Sequence, residues 1–176
     1  SSWVPGKYGS ALNLDGSSDY VSVTDATDSS LDVTDSLTMS VWVKTTSGDN
    51  EGLIYKGDFS GTQGTYQIHL KSSTTVPVIR LNQSASEGSG QLTGNTTVND
   101  GNWHHIAATY DKTNIKLYID GGLDNSNSYS TSLSTNNNPL HIGGYYSSSY
   151  TLNGSIDDVR IYNYARTQAQ IAWDYN

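Results

Sequence analysis

Tyr145, Tyr146 and Tyr150 in a Gly/Ser loop, together with His69 and Arg80 on the polar phases of two strands, are the residues best suited to chemistry in this chain. That chemistry is reversible recognition of a hydroxylated ligand. Sugar rings stack their apolar CH faces on aromatic planes, and their hydroxyls bond to Asn, Asp, His and Arg. Bond-breaking chemistry finds little support. No Gly-x-Ser-x-Gly elbow is present, and His104 and His105 are strand neighbours facing opposite ways, so they cannot act on one serine. Asp157 and Asp158 are separated by the same alternation and cannot straddle one bond. Cysteine nucleophiles and thiolate metal sites are excluded outright, because the chain has no Cys. The glycine-rich stretches do not lead into helices, which removes phosphate loops and dinucleotide fingerprints.

Composition narrows the partners further. The 176 residues suit one domain with a sizeable core, and they carry 17 Asp and Glu against nine Lys and Arg, a net charge of −8. Phosphate backbones and membrane surfaces draw on clustered cations, so a nucleic-acid or membrane partner is not expected. No apolar run approaches the roughly 20 residues that span a bilayer. The elements that must position the candidate residues are short strands. Trp103, His105, Ala107 and Thr109 alternate with His104, Ile106, Ala108 and Tyr110; after a polar Asp111–Asn114 link, Ile115, Leu117 and Ile119 alternate with Lys116 and Tyr118. Period two means strand, and so short a link implies an antiparallel hairpin.

Leu37, Met39, Val41 and Val43 give the clearest half-buried strand. Further strands are expected over 11–14, 20–23, 52–56, 65–72, 76–82, 139–143 and 155–163. Residues 1–9 read as an irregular lead-in, and 123–138 as a surface loop with a weak strand near 130–133. Trp103 is expected in the core and Trp42 as packing. Gln67, His69 and Lys71 share the polar phase of one strand, and Arg80 that of the next. Thr167-Gln168-Ala169-Gln170 has capping-box form and predicts one short helix at the end.

The Trp-His-His-Ile-Ala strand with its Leu117-Tyr118-Ile119-Asp120-Gly121 return resembles the central hairpin of laminin-G-like domains of the concanavalin A-like lectin/glucanase superfamily. Gly9 to Val23 and Gly154 to Asn163 fit the same pattern in order, so the likeness covers almost the whole chain. It implies an all-β fold, a two-sheet antiparallel jelly-roll sandwich with a short C-terminal helix. Glycosidases of that superfamily use an E-x-D-x-x-E strand, which places two carboxyl groups across the scissile bond; Glu51 and Glu87 match no such motif, so an enzyme is not expected. The resemblance also implies a structural calcium where the first and last strands meet, with Asp157 as one ligand and the Asp15–Asp19 turn supplying others. The alternative is that Asp15 and Asp19 shape a turn while Asp157 pairs with Arg160 or Arg166.

Residues 1–176 therefore read as a single domain, expected to be monomeric and excised from a longer secreted or cell-surface polypeptide. The leading expectation is a non-catalytic carbohydrate-binding module, taking a polysaccharide or oligosaccharide at His69, Arg80, Tyr145, Tyr146 and Tyr150. An adhesive or protein-binding domain of a surface protein is the other.

Overall fold

A computed structural model describes residues 1–27, 29–57, 64–82, 88–144 and 150–176. Along the chain run β1 (Ser2–Pro5), β2 (Ser10–Asp15), β3 (Val21–Val23), β4 (Leu37–Thr45), β5 (Glu51–Lys56), β6 (Tyr66–Leu70) and β7 (Pro77–Leu81). They are followed by β8 (Gln91–Thr93), β9 (His104–Tyr110), β10 (Asn114–Ile119), β11 (Gly122–Ser128), β12 (Leu140–Ile142), β13 (Asn153–Tyr162) and α1 (Gln168–Tyr175). The strands form two antiparallel sheets, a seven-stranded one in the order β1-β2-β13-β4-β9-β10-β11 and a six-stranded one in the order β3-β12-β5-β6-β7-β8. This is the expected sandwich.

Alternation decides which side chains meet between the layers. Leu37, Met39, Val41 and Val43 of β4, with Ile106, Ala108 and Tyr110 of β9, pack against Ile54, Ile68, Leu70 and Ile79 of the smaller sheet in one core cluster. The hairpin that anchors the sequence pattern is β9–β10, paired from Ile115↔Tyr110 to Ile119↔Ile106. Its successor turn, Asp120-Gly121, holds both residues at positive φ (51° and 78°), the conformation that tight two-residue hairpins demand. The two ends of the chain lie side by side, since β2 pairs with β13 from Asp15↔Asn153 to Leu12↔Ile156.

Three strands depart from the sequence expectation. β1 orders part of the lead-in, and β8, three residues long, stands where no strand was expected. In the polar tract after the hairpin, the strand is β11 at 122–128 and not at 130–133. β11 is an edge strand with hardly any apolar side chains, so no hydrophobic period marks it. Asn125 and Asn127 tie it across the sandwich by donating to the Thr93 and Gln91 carbonyls, at 2.7 and 2.8 Å. Trp103, expected in the core, is only half-buried and lies outside the core cluster.

The outer face of the seven-stranded sheet is covered. Trp42, on the polar phase of β4, is 0% exposed because Tyr175 of α1 stacks on it at 5.5 Å and 18°. Lys7 Nζ sits 4.1 Å over the same indole, and Tyr8 meets it edge-on at 6.1 Å. Ile171 plugs against Ala107 and Tyr118. The capping box fixes the helix start: Gln170 N donates to the Thr167 hydroxyl, and Thr167 N donates to Gln170 Oε1 at 2.9 Å.

Candidate functional site

The outer face of the six-stranded sheet is built differently. Strand registers align Ser22, His141, Tyr55, Gln67, Arg80 and Gln91 in one row across all six strands. At the usual strand spacing this row is about 24 Å long. One step along the strands, Gly52, His69, Val78 and Thr93 form a second row. These positions are out of phase with the core residues Tyr66, Ile68, Ile79 and Leu92, which is why so many are polar. Among the described residues, no helix packs on this face.

Near β8 the face opens into a depression of about 370 Å³, lined by Asn50, His69, Lys71, Ser72, Arg80 and Gln91 among others. His69 and Arg80 are diagonal neighbours on β6 and β7, because Gln67 sits opposite Arg80 and His69 opposite Val78. Arg80 Nε donates to Gln91 Oε1 at 2.8 Å, which fixes the plane of the guanidinium. His69 is 6% exposed, and its Nδ1 is buried with no hydrogen-bond partner. Burial, reinforced by the charges of Arg80 and Lys71, lowers its pKa to about 3, so the ring is neutral at physiological pH. A neutral imidazole offers one donor and one acceptor, the complement of a hydroxyl group.

A second depression of about 300 Å³ adjoins the first and shares Asn50 and Ser72 with it. Asn50 Oδ1 accepts from Ser72 N at 2.8 Å and so braces the ridge between the two. Tyr150, half-exposed, lines this second hollow with Asp49, Glu51 and Asn153. Glu51 is 1% exposed and its pKa is raised, chiefly by burial. Its Oε1 accepts from Asn153 N at 2.9 Å, an arrangement that fastens β5 to the start of β13.

Of the five residues expected to bind sugar, His69 and Arg80 come together, and Tyr150 lies in the adjoining hollow. Tyr145 and Tyr146 lie outside the described residues. Asn50 and Gln91 were not marked by the sequence: one sits in a loop and the other in a strand too short to show a period. Lys71 was marked by phase alone.

The three carboxylates expected to share a calcium do not converge. Asp15 and Asp157 stand near opposite ends of the β2–β13 pairing, since Asn153 faces Asp15 and Ile156 faces Leu12. Asp15 accepts from Ser17 N at 2.9 Å and Ser18 N at 3.3 Å, shaping the turn. Asp19 pairs with the amino group of Ser1. Asp157 accepts from Tyr8 N at 2.9 Å and from Asp158 N at 2.8 Å, which pins the 6–9 turn over the sheet. Arg160 pairs with Asp158 and Asp174, and Arg166 with Asp174. Among the described residues, no group of three His, Asp or Glu side chains is arranged to hold a metal ion. The Asp15, Asp19 and Asp157 carboxylates do not by themselves make the calcium site that the resemblance implied.

The histidine pair divides as strand geometry requires. His105 is buried beside Trp42, their rings 5.2 Å apart. His104 bonds to Asp120 at 2.8 Å and Asp100 at 3.1 Å.

Comparison with known proteins settles the family. The profile of the concanavalin A-like lectin/glucanases superfamily matches residues 15–172. The chain belongs to that superfamily. As a concanavalin A-like domain it resembles, in fold, domain 4 of AbnA, an extracellular arabinanase from Geobacillus stearothermophilus solved with arabinotriose (22% identity, TM-score 0.71, covering 98% of this chain and 79% of that one). It is also similar to the CBM40 of the Ruminococcus gnavus IT-sialidase bound to α2,3 sialyllactose (15% identity, TM-score 0.71, 94% and 96%). The binding domain of Paraclostridial Mosquitocidal Protein 1 matches at 18% identity and a TM-score of 0.77; this chain is covered over 99% and spans 45% of that structure. No curated protein matches the sequence. No helix among the described residues is long and apolar enough to cross a membrane.

Proposed function

We propose that this concanavalin A-like domain is a non-catalytic carbohydrate-binding module of a secreted, polysaccharide-active protein, with its ligand held on the outer face of the six-stranded sheet. The observation that carries this reading is the His69–Arg80–Gln91 depression. It is a polar hollow on rigid strands, lined by an imidazole together with amide and cationic side chains. Rigid strands hold such donors at little entropic cost, and hydroxyl-rich ligands on open faces bind with modest affinity. Two fold relatives were solved with an oligosaccharide bound, which supports the same reading.

Affinity electrophoresis against a panel of polysaccharides, backed by a glycan array, tests it with the wild type and His69→Ala. Retardation on at least one polysaccharide that His69→Ala weakens is the expected result. No retention at millimolar site concentration would pass the lead to a protein partner. One observation favours that second reading: at the β3 edge Tyr20, Val21 and Val23 are all exposed, an apolar edge of the kind that partner strands or surfaces cover.

A further inference from the structure

The positive charges of this chain are unevenly employed. Lys56, Lys112, Arg160 and Arg166 each have a carboxylate partner, and Lys7 lies over Trp42. Lys44 and Lys116 belong to the seven-stranded sheet. Lys71 and Arg80 have no acidic partner among the described residues, and they line the same depression. No described carboxylate lines it, in a chain whose net charge is −8. Asp49 and Glu51 fall on the far side of the Asn50–Ser72 ridge, and Glu51 is occupied by Asn153 N.

We propose that the depression recognises a carboxylate-bearing sugar, so that the ligand is a uronic-acid-containing glycan; this rests on the carbohydrate reading above. Arg80 supplies a fork whose plane Gln91 already fixes, leaving its terminal nitrogens for a bidentate pair with a planar carboxylate. Lys71, exposed at the rim, adds a mobile point charge. The His69 ring, which lines the depression, meets a ring hydroxyl as donor or acceptor according to tautomer, and Asn50 serves a further hydroxyl. Arginine and lysine provide attraction, while the neutral groups distinguish a sugar acid from any other anion.

The test uses the 176-residue protein and isothermal titration with oligomers of galacturonic, glucuronic, mannuronic and guluronic acid, each beside its carboxyl-reduced counterpart. At least one acidic oligomer should bind at least tenfold tighter than its reduced form and lose affinity as salt rises. Arg80→Ala should lower affinity for the acidic oligomer at least tenfold, and by a larger factor than for its reduced form, and Arg80→Lys should restore part of the preference. A thermal melt of Arg80→Ala matching wild type shows that the fold is kept. Equal binding of acidic and reduced oligomers would overturn the carboxylate inference and leave the carbohydrate reading standing. Binding of neither would overturn the carboxylate inference and leave the carbohydrate reading to the polysaccharide panel above. Equal binding of polyglutamate or of a sulfated glycan would show a general anion site and overturn the assignment to sugar acids.

Discussion

The two outer faces of this sandwich begin from the same strand chemistry and end differently. On the seven-stranded sheet the outward phase carries Trp42, His105, Ala107 and Tyr118, and α1 with the 6–9 turn closes over them. On the six-stranded sheet the outward phase carries Gln67, His69, Arg80 and Gln91, and no described helix covers them. The first face buries aromatic surface and contributes stability. The second sets polar side chains, His69, Arg80 and Gln91, around a depression.

Substitutions that separate stability from binding sharpen the contrast. Trp42→Ala removes the indole on which Tyr175 and Lys7 rest and should cost about 3–5 kcal/mol in chemical denaturation, while the folded fraction keeps its glycan affinity. A stability loss under 1 kcal/mol, as for an ordinary exposed site, would mean that the covering is loose. Arg80→Ala should do the reverse. Its stability should lie within about 0.5 kcal/mol of wild type, with at least a tenfold loss of ligand affinity, equivalent to about 1.4 kcal/mol. Thr167→Ala removes half of the capping box and should lower stability by about 1 kcal/mol, with no change in binding.

The titrating groups give a smaller effect of known sign. Burial lowers the His69 and His105 pKa values to about 3 and about 4, from 6.5 in the unfolded chain. Between those limits the unfolded state binds more protons, so their contribution is complete above about 6.5 and lost progressively as pH falls. His104 has the opposite sign. Burial alone would lower its pKa, but hydrogen bonds to Asp120 and Asp100 outweigh this and raise it. Its contribution is therefore complete below 6.5 and disappears as pH rises through the raised value. Melting temperature against pH should peak between these two regimes, and His69→Gln should flatten the acid limb. An unchanged acid limb in that variant would show that His69 is not held neutral by burial. Excess chelator tests the calcium expectation: an unchanged melting temperature would leave Asp15 and Asp157 as turn formers only, and a clear drop would reveal a bound cation.

The sandwich was legible in the sequence because alternation is strict where one phase is buried, as in β4 and the β9–β10 hairpin. It was not legible in β11, whose Asn and Ser side chains are exposed or bonded to carbonyls across the sandwich, nor in β8, too short to repeat. His69 and Arg80 could be picked out because each opposes an apolar phase. Asn50 and Gln91 could not, since their positions depend on which strands become neighbours. The surroundings of Asp157 were hidden for a related reason: it belongs to the expected motif, but that it accepts from the Tyr8 amide depends on the path of the lead-in.

The central claim is that the open face, and not the covered one, holds the ligand. An amide chemical-shift titration of the isotope-labelled protein with the tightest oligosaccharide tests it directly. Shifts should concentrate at His69, Arg80, Gln91 and their strand neighbours, with the α1 amides unmoved. Shifts centred on Trp42 and Tyr175, or on the Tyr20–Val23 edge, would contradict the account.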